Sequence, residues 1–284
     1  MSIIAERLQS RVELTQAERA LLLGLESRSV SCPRRSVLSR SGEPNRKAFV
    51  LKSGWVISYS RLANGSKQVR RLHLPGDLLG MPSLAFRHNA EELEAVSDVV
   101  VSPFSKLAFG RLFETHHRLA GLMFLISQLE RVTLGDRLLS VATQPCKSRL
   151  AFLLMDILNR LRRIDPGIVN TMPMHLSREQ MAEITGMTPI HASRMWSELT
   201  RDGIISNNGG LVTVQDEVRL LELSGWVTRT DDLDLGWLPT CIRSRSASLA
   251  YGNYRRAKAC QLDLNLKHST YGLLGRRRRA GEVL

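Results

Sequence analysis

The chain is short of the residues from which metal centres, disulfide frameworks and membrane spans are built. Its four cysteines, Cys32, Cys146, Cys241 and Cys260, lie far apart in 284 residues, with no C-x-x-C pair and no histidine at zinc-finger spacing. No metal or iron-sulfur site is expected, and free thiols in a reducing compartment are the ordinary reading. No apolar run approaches the ~20 residues of a membrane span, and the amino-terminal MSIIAERLQSRVEL lacks the basic-then-apolar layout of a signal peptide. A cytoplasmic protein without a membrane partner is therefore expected. Enzyme signatures are missing as well: no phosphate-binding loop and no nucleophile-base arrangement appears, so neither catalysis nor a cofactor is expected. Acids are outnumbered. Lys and Arg total 40 against 27 Asp and Glu, a net charge of +13, which suits a polyanionic partner.

What is present is most informative at residues 176–199, LSREQMAEITGMTPIHASRMWSEL. Ser177 with Gln180 has the form of a capping box and starts a helix. Gly186 can take the positive φ that ends one. Thr188 can then cap a second helix with Pro189 at its first position, where a missing N–H costs nothing. Ala192, Met195, Trp196 and Leu199 follow the i, i+3, i+4, i+7 rule for one buried face. Pro189, Ile190, His191, Ser193, Arg194 and Ser197 are left on the free side. From about Glu179 to Glu198 this is the pattern of a helix-turn-helix, whose second helix enters the DNA major groove; an ordinary αα-hairpin has the same periodicity. The sequel decides for double-stranded DNA. TRDGIISNNGGLVTV predicts a strand at 204–206, turn chemistry at 207–210 and a returning strand at 211–214, which turns the helix pair into a winged helix.

Upstream, Thr15 and Glu18 cap a short helix, and from there to about residue 108 the period is two. Runs at 48–51, 55–59, 69–74 and 99–101 are punctuated by Ser53-Gly54, Asn64-Gly65 and Pro75-Gly76-Asp77, as in an antiparallel β-roll or barrel. From His116 to Ala142 the period returns to 3.6. Leu119, Leu122, Ile126 and Leu129 recur at spacings of three and four, either as a dimerisation seam or as the inner face of a helix packed on its own domain. DNA binding favours the dimer, because one recognition helix reads few base pairs and a two-fold symmetric site engages two. Residues 148–163 predict a further amphipathic helix that completes the winged-helix core. Cys146 stands at its start, where the helix dipole and nearby Lys147 and Arg149 favour a thiolate; an inert thiol and a redox role are both open. The fold class is thus α+β: a β-roll over 14–111, a long helix over 112–144, a winged helix-turn-helix over 146–226 and a basic, mostly disordered tail over 227–284, with charge clusters at 255–258 and 276–279.

This order of elements, with LSREQMAEITGMTPIHASR and LKSGWVISYSRLANGSKQVRRLHLPGDLLG as its carriers, resembles the Crp/Fnr family of bacterial transcription regulators. The resemblance implies a cyclic-nucleotide-binding-type sensor, a homodimer, promoter binding and, for an activator, RNA polymerase as partner. It implies a base-reading role for Arg194, and it puts the familiar TTGA-type half-site in doubt, because Ile190 and His191 stand where many members carry glutamate and threonine. In members that bind a cyclic nucleotide, a glutamate holds the ribose and an arginine the phosphate in the stretch after Pro-Gly-Asp. Here Gly80 is followed by Met81, and Asn89 and Ala90 take the later positions. Arg87 is the nearest substitute, with Glu91 and Glu92 beside it. Neutral side chains do not replace charge-assisted contacts, so DNA binding without cyclic nucleotide is expected, against the alternative of a nucleotide- or redox-responsive regulator. The competing class, a cupin-like metal enzyme on a related roll, needs two close histidines and a glutamate, and this region offers only His73.

Overall fold

The computed structural model describes residues 2–239 apart from Ser10, Asn64 and 229–232. Two helices, α1 (Ile3–Gln9) and α2 (Gln16–Leu25), lead into eight strands: β1 (Val30–Cys32), β2 (Val37–Ser39), β3 (Lys47–Ser53), β4 (Val56–Arg61), β5 (Lys67–His73), β6 (Leu78–Leu79), β7 (Glu92–Ala95) and β8 (Val99–Ser105). The strands form two four-stranded antiparallel sheets, ordered β1-β8-β3-β6 and β2-β7-β4-β5. The expected β-roll is thus present, with the short strands β1, β2, β6 and β7 added to those read from periodicity. The Ser53-Gly54 turn requires its glycine: φ is +78°, and a Cβ would lie 2.1 Å from the carbonyl oxygen of Asp98.

Strand β4 shows why WVISY reads as a continuous apolar run. Val56 points into the roll with Phe49, Leu51, Leu79, Leu93 and Val101. Trp55, Ile57 and Tyr59 point outward and are nevertheless buried, because they join one core with the carboxy-terminal domain. Successive side chains leave opposite faces of a strand, so a strand covered on both faces has no polar alternation.

The roll is followed by α3 (Lys106–Thr115), α4 (His117–Thr143), α5 (Cys146–Ile164), β9 (Thr171–Pro173), α6 (Arg178–Thr185), α7 (Pro189–Arg201), β10 (Ile205–Asn208), β11 (Leu211–Val214) and α8 (Glu217–Ser224). The long helix expected from residue 112 instead begins at His117: residues 112–115 close α3, and the chain breaks from helical geometry at His116, where φ is −138° and ψ 80°. Helix α5 carries Leu150, Leu153, Leu154, Ile157 and Leu161 inward against the roll and the winged helix together. Of the segment expected to be a tail, 233–239 packs through Leu235 and Leu238 on the amino-terminal core, a correction to its reading as disordered. Cys241, Cys260 and the charge clusters at 255–258 and 276–279 lie outside the described residues.

Candidate nucleic-acid interface

The helix pair α6–α7 is held at both ends by the groups the sequence offers. Ser177 Oγ accepts from Gln180 N at 3.2 Å while Gln180 Oε1 accepts from Ser177 N at 2.9 Å, a reciprocal capping box. Gly186 ends α6 with φ +65° and ψ 41°, and a Cβ there would meet Val141 Cγ1 of α4 at 3.0 Å. Thr188 Oγ1 accepts from His191 N at 3.3 Å and opens α7, with Pro189 in the first turn. Ala192, Trp196 and Leu199 are buried and Met195 packs beside them. The Arg178 guanidinium lies 3.6 Å from the centre of the Trp196 ring, and burial lowers its pKa.

That fixation turns the other side of α7 outward. Pro189, Ile190, His191, Ser193, Arg194 and Ser197 are all exposed along one strip. Ile190 is 80% exposed. The Arg194 side chain is 72% exposed and, among the described residues, pairs only with Glu198, one turn on, at 3.2 Å, an i,i+4 contact that is weak in water. Beside the strip stands the hairpin β10–β11, its register closing with Asn208 opposite Leu211 across Gly209-Gly210. A third strand, β9, extends it through Met172 opposite Val212. The sequence did not disclose β9, whose three residues are too few for an alternation to register.

Two cross-domain clusters were likewise invisible in the sequence, because their contacting pairs lie up to 83 positions apart. Asp77, of the Pro-Gly-Asp turn, is buried and receives Arg7 of α1 at 2.5 Å, Arg160 of α5 at 2.7 Å and Leu74 N at 3.1 Å, with Arg71 of β5 at 3.6 Å. Burial alone would raise its pKa, but Arg7, Arg160 and Arg71 outweigh that and hold the carboxyl well below the usual range. Arg71 also reaches Glu130 of α4 at 2.8 Å. His73 Nδ1 lies 3.9 Å from Asp77, yet neither ring nitrogen has a hydrogen-bond partner. Burial first and Arg71 second push its pKa well below the usual value, against the pull of Asp77, so we take this contact as a neutral histidine and not as an ion pair. In the second cluster, Arg137 of α4 donates to the carbonyls of Val69 and Ile184 at 3.1 and 2.7 Å, and also to that of Arg70. Burial lowers it to about 10. Roll, long helix and α6 are thereby tied through one side chain.

In the roll, Gly80 has φ +77° and precedes a 3-10 turn, Met81–Ala85. Met81 packs against the amino-terminal core. Asn89 Nδ2 donates to Arg40 O at 3.0 Å, and Ala90 N to Ser83 Oγ at 3.0 Å. Arg87 is exposed. Glu92 turns to Tyr59 and Arg61, both at 2.9 Å, whereas Glu91 is buried with Oε1 unpartnered, and burial raises its pKa against the lowering effects of Ser58 and Arg70. The Asn89 side chain and the Ala90 backbone N–H are thus spent on the protein itself, and the buried acid Glu91 stands next to them.

Residues 29–116 match the cyclic nucleotide-binding domain family and residues 148–223 the Crp-like helix-turn-helix domain family. The nitrogen fixation regulation protein FixK of Bradyrhizobium diazoefficiens is 30% identical over 166 residues, covering 58% of this chain and 69% of that one. The chain belongs to the Crp/Fnr family of transcription regulators. A second relative, the fumarate and nitrate reduction regulatory protein of Escherichia coli, is 23% identical over 197 residues, 66% of this chain and 75% of that protein. The structure of FixK2 from Bradyrhizobium japonicum superposes with a TM-score of 0.64 at 22% identity, covering 71% of this chain and 98% of that one, which is a likeness of fold. This Crp/Fnr chain is accordingly a DNA-binding transcription regulator. Among its described residues no helix is long and apolar enough to cross a membrane.

Two expectations change within the Crp/Fnr architecture. Leu119, Leu122 and Ile126 are buried in the chain's own amino-terminal core, with Leu129 packed against it, so the seam read from their spacing belongs to the intrachain packing of α4. The exposed apolar residues of α4 are Phe124, Val132, Leu134, Leu138 and Leu139. Periodicity finds an apolar stripe without saying which neighbour covers it. Cys146 opens α5 as expected and is a half-buried free thiol, but its flanking cations point elsewhere. Lys147 pairs with Asp202 at 2.5 Å, and Arg149 donates to Gln144 O at 2.8 Å.

Proposed function

We propose that a homodimer of this chain reads a two-fold symmetric promoter site through α7, with Arg194 as the principal base reader, Pro189, Ile190, His191, Ser193 and Ser197 lining the same groove, and no requirement for a cyclic nucleotide. The observation that carries the reading is the exposed strip itself: six residues of one helix face, locked from behind by Trp196, whose side chains are engaged only within α7 and its cap, by Arg194 with Glu198, Ser197 with the Ser193 carbonyl and His191 with Thr188, among the described residues. A guanidinium on that strip can fork onto guanine O6 and N7, worth ~1–3 kcal/mol of discrimination, whereas Ile190 offers apolar contact only, for example to a thymine methyl. The apolar side of α4 left exposed around Val132 and Leu139 supports the dimer, and two recognition helices are needed for half-sites one turn apart. Independence from cyclic nucleotide is supported by Met81, Asn89 and Ala90, none of which carries a charge for the ribose or the phosphate, and by the buried carboxyl of Glu91 beside them. RNA polymerase is the partner if the chain activates. The deciding experiment is selection of bound sequences from a random duplex pool. An inverted repeat altered from TTGA at the base pair facing Ile190 is the expected result; a motif without two-fold symmetry counts against the dimer, and an unaltered TTGA core against any role of Ile190.

A further inference from the structure

Residues 121, 125, 128, 132, 135, 139 and 142 of α4 alternate in steps of four and three, the 3.5-residue repeat along which two helices pair. They are Gly121, Leu125, Gln128, Val132, Gly135, Leu139 and Ala142. The carboxy-terminal part of this line is open: Leu139 is 62% exposed, and a Cβ on Gly135 would meet nothing within 4 Å. The amino-terminal part is occupied. A Cβ on Gly121 would lie 2.9 Å from Leu238 Cδ2, 3.7 Å from Pro239 Cδ and 3.9 Å from Trp237 Cζ3. The Trp237 ring stands edge-on to Phe124 with centroids 6.0 Å apart and planes at 88°. Leu238 is only 7% exposed and shares a cluster with Leu122, Leu125 and Ile126. The segment is locally shaped for this, since Gly236 N donates to Asp234 Oδ1 at 2.9 Å and Leu238 N to Leu235 O at 3.1 Å. It lies beyond residue 223, where the match to the Crp-like helix-turn-helix domain family ends.

We propose that residues 233–239 are a strap that occupies, within one chain, the amino-terminal end of the α4 face that a second copy of the chain pairs with, and so limits the length of the paired seam. The proposal rests on the dimer reading above. The reason is steric: one notch over Gly121 accepts Leu238 or the partner's helix, and not both, so strap and partner compete. Pairing confined to Gln128–Ala142 leaves the strap seated; pairing that runs back to Gly121 expels it. Anything that draws the strap off then strengthens the dimer without touching α4.

Two variants of the full chain remove the strap by different routes. In one, Trp237→Ala with Leu238→Ser takes away its anchors. In the other, Leu235→Asp removes a second apolar contact of the segment and leaves α4 unchanged, and circular dichroism checks in both that the fold is retained. Sedimentation equilibrium across a concentration series is expected to give a dimer Kd at least tenfold lower for both than for the wild type, with Leu139→Glu abolishing pairing in either background. A wild type that dimerises, and is broken by Leu139→Glu, but whose Kd the strap variants leave unchanged or weaken overturns the strap and leaves the dimer standing. A chain that stays monomeric at every concentration, with or without the strap, refutes α4 pairing itself.

Discussion

Replacing Asp77 with asparagine removes one charge and almost no volume, at the point where α1, β5 and α5 meet. In the native chain one carboxylate receives Arg7 at 2.5 Å and Arg160 at 2.7 Å, with Arg71 at 3.6 Å. An asparagine keeps one acceptor oxygen and turns an NH2 group toward guanidinium donors, so buried cations lose their counter-charge. Breaking a buried pair from one side costs about 3–5 kcal/mol, against about 5–15 kcal/mol for a whole domain. At about 2–4 °C per kcal/mol for a chain of this size, melting should fall by about 6–20 °C. The pH dependence supplies a second signature. A carboxyl whose folded pKa is depressed contributes stability that is complete above its unfolded value, ~3.9, and is lost as pH falls toward the folded one. Wild-type stability should therefore drop progressively below about pH 5, and that part of the drop should be absent in Asp77→Asn. Urea titrations from pH 7 to pH 3, followed by circular dichroism, measure both. A loss under about 1 kcal/mol at pH 7, the scale of exposed ion pairs, with an unchanged acid slope would show that Asp77 is not the hub described.

Further outcomes follow from the same geometry. His73, neutral and without hydrogen-bond partners, resists a proton that the unfolded chain takes up below ~6.5, so folding weakens as pH falls through that value; His73→Leu should leave stability at pH 7 equal or higher and flatten the slope between about pH 6.5 and 5, and an unchanged slope in urea titrations would assign it to other groups. Arg194→Ala should abolish preference for the selected site while leaving secondary structure and gel-filtration volume intact; wild-type affinity in a mobility-shift assay would remove Arg194 as base reader. Added cAMP or cGMP should leave operator affinity unchanged at fixed salt, the condition that matters because salt alone moves such constants by orders of magnitude; tenfold or greater tightening would show a working nucleotide site, with Arg87 the first residue to mutate.

Local chemistry was enough for everything that depends on neighbours in the chain. Both capping boxes, Thr15–Glu18 and Ser177–Gln180, the positive φ of Gly186 and the Gly209-Gly210 turn of the wing follow from side chains within a few residues of the backbone they satisfy, which is why the helix-turn-helix and its outward strip were legible in the sequence. The acidic residues that follow Asn89 and Ala90 were legible too, as Glu91 and Glu92, although only the fold sends one inward and the other to Arg61. Tertiary structure alone decided which stripe of α4 is spent inside the chain. Leu119, Leu122 and Ile126 have the spacing of a seam, and Val132, Gly135 and Leu139 have it equally; what separates them is that α1, α2 and α3 share a core with the first set and not with the second. Nor could a sequence pair Asp77 with Arg160, or Arg137 with the Ile184 carbonyl: an ion pair across 83 positions has no local period, and depends on the packing of the apolar faces of β4 and α5 into one core that holds the two domains in register.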